Sequence, residues 1–105
     1  MNDTLLKMIK LKCHITWNDE NTNQRITEIA EESMVEIRKK LGIPGETEDI
    51  FLKPGKVREL YKAYCMYAWN DMTDQFDANY KHDILHARRE YEVLAREAKA
   101  GKDVQ

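Results

Sequence analysis

His82, Asp83 and His86 are the residues whose types and spacing come nearest to catalytic chemistry. In the run from His82 to His86 both imidazoles fall on one face of a helix, with Glu90 one turn further on. That pattern echoes the H-E-x-x-H helix of zinc proteases, in which two histidines hold the metal and the acid acts as the base. The echo is incomplete, because the acid is the shorter aspartate, the stretch is densely charged and no further ligand is recognisable. Polar residues lining one side of a surface helix account for the run, and neither a metal nor any other cofactor is expected. Ser33 is the only serine and lies inside a helical pattern, with no G-x-S-x-G turn and no base placed for it. There is no phosphate-binding loop and no dinucleotide fingerprint, so the chain reads as a protein that is not an enzyme.

Charge narrows the partners. The formal net charge is -2, which excludes a general grip on DNA, since such binding is driven by lysines and arginines that release counterions from phosphate. The distribution is uneven: residues 1–17 carry three lysines against one aspartate, residues 18–50 carry nine acids against four bases, and the remainder is near balance. Within the acidic stretch Glu28, Glu32 and Glu36 stack at i, i+4, where like charges cost a few tenths of a kcal/mol per pair. Only Glu36 has a basic answer in its own helix, at Lys39 or Lys40. A solvated face explains the ridge; so does a surface that meets a basic neighbouring subunit or repels a polyanion in a channel.

The elements that must carry these residues are helical. The chain has 105 residues, enough for one core, and is 42% hydrophobic and 34% charged, too apolar for a disordered chain. Its four glycines and two prolines fall largely between Gly42 and Gly55, and the rest is unpunctuated. A first helix is expected from about Thr4 to Cys13, with Leu5, Leu6, Met8, Ile9 and Cys13 on its buried stripe and Asp3 or Thr4 as cap. Ile15 and Trp17 are expected to anchor the following turn. The cluster Asn18, Asp19, Glu20 and Asn21 suits the start of a second helix. Its stripe runs through Ile26, Ile29, Ala30, Ser33, Ile37 and Leu41 to a left-handed stop at Gly42.

The segment from Glu46 to Lys53 reads as a loop that folds Ile50, Phe51 and Leu52 onto the core, and Pro54 suits the first turn of a third helix. That helix takes Val57, Leu60, Tyr61, Tyr64, Cys65, Ala68, Met72 and Phe76 as its stripe, with a kink or break expected near Asn70 to Asp77. In the fourth helix Tyr80, Ile84, Ala87, Tyr91, Leu94 and Ala98 form a heptad seam. Gly101 to Gln105 is expected to fray. The fold class is therefore all-α, a small bundle of about four helices in a single domain over residues 1–100. No apolar run reaches membrane-spanning length and no leading stretch reads as a signal peptide. Cys13 and Cys65, without C-x-x-C spacing, are expected as reduced, core-facing thiols in a cytosolic setting.

Six aromatic residues, Tyr61, Tyr64, Tyr67, Trp69, Phe76 and Tyr80, lie within twenty positions, more than one small core easily absorbs. Tyrosine and tryptophan are favoured in interfaces because they bury a large area and keep a polar handle. Tyr61, Tyr64 and Phe76 are assigned to the core. Tyr67 and Trp69 are interface candidates, and the seam with its charged flank adds Arg88, Tyr91 and Leu94.

The order of features resembles a known family. A short leading helix, Leu5 to Ile15, ends in Thr16 and an acid-rich turn; a long helix ends at Leu41-Gly42. Next come Lys53-Pro54-Gly55, Arg58-Glu59-Leu60-Tyr61 and Tyr64-Cys65-Met66-Tyr67-Ala68, and Phe76 with Asn79-Tyr80 opens the last helix. Over residues 4–95 this resembles the phage head-tail connector (adaptor) family, small helical proteins that dock beneath the portal after DNA packaging. The resemblance implies a structural subunit of a ring, dodecameric in the virion and monomeric alone. Such a ring docks on the portal protein, extends the DNA channel without binding DNA specifically, and presents its far side to a tail-completion protein. It further implies residence at the head-tail junction of the virion, and in the host cytoplasm during assembly. The natural counterpart of that family's portal-engaging terminal segment is Arg88 to Gln105. A helical protein-protein adaptor or regulator without a virion role is the alternative that the residues leave open.

Overall fold

The structure, a computed structural model, describes the backbone of residues 3–43 and 49–103, and the side chains of those ranges except at 49, 94, 95 and 98–103. The described residues form helices and turns, with no strand among them. Four longer helices, α1 (Asp3–Lys12), α2 (Glu20–Leu41), α4 (Lys56–Trp69) and α6 (Lys81–Asp103), are joined by two single turns, α3 (Asp49–Leu52) and α5 (Phe76–Asn79). The 3-10 turn Thr73–Gln75 leads into α5. All-α holds, and the count of about four is corrected to six among the described residues. The two additional helices are four residues each, too short to show a period in the sequence.

Local chemistry explains the boundaries. Asp19 caps α2, its carboxylate accepting from the Thr22 backbone N–H at 3.0 Å and from the Thr22 hydroxyl at 2.6 Å. Three helices end on a residue in the left-handed region: His14 after α1 (φ 60°), Gly42 after α2 (φ 67°) and Asp71 after α4 (φ 56°). At Asp71 the turn is closed by two backbone bonds, Asp71 N–H to Ala68 O at 3.2 Å and Met72 N–H to Tyr67 O at 2.8 Å, the Schellman pattern. This stops α4 at Trp69. Met72 and Phe76, expected on its stripe, are therefore not on that helix: Met72 is exposed, and Phe76 reaches the core from α5. Pro54 is also relocated. It sits in the bend Lys53-Pro54-Gly55 ahead of α4, whose N-cap Gly55 has φ 151°, a conformation that side chains rarely adopt.

One core runs through the molecule. Leu5 and Ile9 of α1, Ile26, Ala30, Met34, Ile37 and Leu41 of α2, and Leu60, Tyr61, Ala63 and Cys65 of α4 are buried together with Phe51, Phe76 and Ala87. As expected, α3 folds its apolar residues inward: Phe51 is fully buried, its ring 4.6 Å from Tyr61, with the Arg38 guanidinium 5.2 Å above it. The Tyr61 hydroxyl donates to the Ala30 carbonyl at 2.8 Å, which ties α4 to α2 inside the core. Ile15 anchors the turn after α1 and is buried. Trp17, expected beside it, is half exposed, with its indole N–H donating to Thr22 Oγ1 at 2.9 Å. Among the described residues no helix is long and apolar enough to cross a membrane. The last helix continues to Asp103, past Gly101 where the tail is expected to begin; residues 104 and 105 lie outside the described residues.

Candidate protein-protein interfaces

Two surfaces bring the sequence-selected residues together, one on α6 and one between α2 and α4. The first half of α6 is fixed to the body by its seam: Ala87 is buried, and Tyr80, Ile84 and Tyr91 pack partly buried against the core. Lys56 at the start of α4 pins the same helix, its Nζ donating to Asp83 Oδ1 at 2.8 Å. That bond separates Asp83 from the two histidines flanking it, because His82 and His86 are exposed. The nearest acid to His86 is Glu90, at 4.0 Å across one turn. No three His, Cys, Asp or Glu side chains among the described residues converge on a metal-sized site.

Opposite the seam, α6 presents a second stripe. His82, Leu85, His86, Arg89, Glu90, Val93 and Glu97 line one shallow open groove, in which Leu85 and Val93 are 45% and 49% exposed. Apolar residues thus alternate with both signs of charge along this face. Arg88 is exposed on the same helix, Tyr91 belongs to the core-facing seam, and the side chain of Leu94 lies outside the described residues, as does that of Ala98. The sequence reading weighted the seam and overlooked Leu85 and Val93. The signal was available: they are the large apolar residues of this helix that fall off the heptad positions.

The interface candidates on α4 have intramolecular partners. Tyr67 lies edge-on to Phe76 at 5.5 Å and to Tyr80 at 5.7 Å, and its hydroxyl accepts from Asn79 Nδ2 at 3.0 Å. Trp69 carries the Arg25 guanidinium 4.4 Å above its ring, while Arg25 also donates to the Trp69 carbonyl at 2.9 Å. Both residues are partly buried. The apparent aromatic surplus is thus largely consumed in one stack: Phe76 packs face to face with Tyr80 at 4.7 Å, and Tyr64 meets Phe76 edge-on at 5.0 Å. Burial raises the pKa of Tyr64 and, with Tyr67 beside it, that of Tyr80.

Glu28, Glu32 and Glu36 lie along one side of α2. Glu28 and Glu32 are exposed, with no ion pair to another described residue. Glu36 meets Lys39 at 3.8 Å. Glu32 and Glu36 form one lip of a groove of about 410 Å³ between α2 and α4, lined also by Ile29, Val35, Tyr64 and Thr73. Val35 is 49% exposed there. Elsewhere Leu11, on the outward side of α1, is the most exposed large apolar residue at 78%; sequence reading left it off the α1 stripe without asking what it faces.

Both cysteines are buried and free. Burial pushes the Cys13 thiol up to about 11 and the Cys65 thiol up to about 12, so neither is a nucleophile at neutral pH. Comparison of the chain with family models, with curated proteins and with solved structures finds no match.

Proposed function

We propose that this chain is a structural subunit of the ring that joins the head of a tailed phage to its tail. In this reading it docks on the portal protein, extends the DNA channel and offers a platform to a tail-completion protein. The observation that carries it is the two-faced α6: one side is committed to the core, and the other leaves Leu85 and Val93 exposed between charged residues. An outward apolar stripe framed by both signs of charge is a surface that an assembly subunit can use as a contact. The order of features from Leu5 to Tyr80 adds its resemblance to connector proteins, and its Lys53-Pro54-Gly55 stretch forms the bend that aims α4. The net charge of -2 suits a channel wall that lets DNA slide without gripping phosphate.

The experiment is reconstitution. The protein is mixed with portal-bearing, DNA-filled particles of the phage that encodes it and imaged by electron microscopy. The expected result is added ring density below the portal; particles that never acquire such density overturn the reading. The exposed α6 face also favours a second reading, a helical adaptor that binds one partner helix outside any virion. Gene context separates the two, since portal, capsid and tail genes beside this one support the connector and a regulatory neighbourhood supports the adaptor.

A further inference from the structure

We infer that neighbouring copies of this chain join head to tail, the outward edge of α1 of one copy seating in the acidic groove between α2 and α4 of the next. The inference rests on the ring reading above and assigns the contact that builds the ring. Along α1, Thr4, Lys7 and Leu11 are exposed at spacings of three and four. They form a single stripe on the side opposite buried Leu5 and Ile9. That stripe carries one large apolar residue, Leu11, one helical turn from a lysine. The groove carries the complement: half-exposed Val35, with Glu32 and Glu36 one turn apart beside it. Residues at i and i+4 are neighbours on a helix surface, so with α1 running parallel to α2 of the next copy, Leu11 seated on Val35 brings Lys7 level with Glu32. Positive edge and negative groove thereby meet with an apolar contact and a charge pair side by side.

The two surfaces do not overlap. No residue of α1 lines the groove, so one chain donates its edge to one neighbour while accepting the edge of another. A contact between two different patches is heterologous, and it closes into a ring when the rotation per copy permits. The local charge distribution fits this use. The Lys10 amine is already held by Asn23 Oδ1 at 2.6 Å, whereas the Lys7 amine makes no ion pair with another described residue, and neither do the carboxylates of Glu28 and Glu32.

Zero-length coupling tests the contact in the intact protein. Equal amounts of unlabelled and ¹⁵N-labelled chain are mixed, treated with a carbodiimide that joins amines to carboxylates, and digested for mass spectrometry. This is done in free solution near millimolar concentration and on portal-bearing particles. The expected products are mixed-isotope peptides linking Lys7 to Glu32. Their yield should fall at least tenfold in Leu11→Ser, which leaves both reacting groups in place. Mixed-isotope links confined to other positions, or none in either setting, overturn the contact. A ring on particles with links elsewhere removes this contact and leaves the connector reading standing. Links at this contact in a protein that never docks on portal do the reverse.

Discussion

Tyr61 and His14 show how differently single side chains weigh on this fold. The Tyr61 hydroxyl is buried and bonded to Ala30, so Tyr61→Phe is expected to lower stability by about 1 kcal/mol in urea unfolding. His14 sits at φ 60° on an exposed turn. There, His14→Gly relieves a left-handed strain of about 1 kcal/mol and should raise the unfolding midpoint. The ion pair between Lys56 and Asp83 sets a pH dependence. The hydrogen bond from Lys56, with its charge, holds the Asp83 carboxyl below its ordinary range. A carboxyl depressed in the folded state stabilises above its unfolded pKa, and that contribution is lost as pH falls through the folded value. Asp83→Asn should therefore flatten the acid side of the stability profile and leave the slope above pH 6 unchanged. At this scale the sequence disclosed residue types but not their partners. Tyr67 looked surplus because Phe76 and Tyr80, which cover it, return to it only through the reversal at Asp71. That reversal uses an aspartate where a glycine would have announced it.

Among the elements, α6 has the clearest division of labour. Its seam faces inward and its Leu85–Val93 stripe faces out, so substitutions on the two sides should behave oppositely. Leu85→Glu with Val93→Glu is expected to change stability by no more than about 0.5 kcal/mol, as surface changes do, and, on the connector reading proposed above, to abolish capture by portal protein in a pull-down. A large loss of stability would show that the stripe supports the fold and is not free for a partner. The four longer helices were legible because each repeats apolar residues over more than two turns and most carry a cap or stop, such as Asp19 and Gly42. The single turns α3 and α5 were not, because four residues hold no period. What made Ile50 to Leu52 readable was burial demand alone, which predicts that the segment folds inward without saying in what conformation.

As a whole the molecule is a slab, 51 × 29 × 18 Å, with a radius of gyration of 14.9 Å. A rounded domain of this length has a radius of about 13 Å, and the excess comes with a last helix of 23 residues, about 35 Å long at the standard rise. Sequence reading supplied that length through its long uninterrupted pattern, but not the shape, which depends on how far the other helices run alongside. The slab has a consequence for anyone weighing the purified protein. Elongation of this degree raises the radius of gyration by about 15% but the drag-determined radius by only about 5%, so the tumbling particle sweeps out roughly a sixth more volume than a rounded one. On a gel-filtration column calibrated with globular standards, the 12.4 kDa monomer should elute only slightly ahead of its mass, well short of the position of a dimer. Light scattering across the same peak should return the single-chain mass in dilute solution. A scattering mass that doubles with the elution position would mean that the molecules in the peak are paired, and that elongation is not what hurries them through.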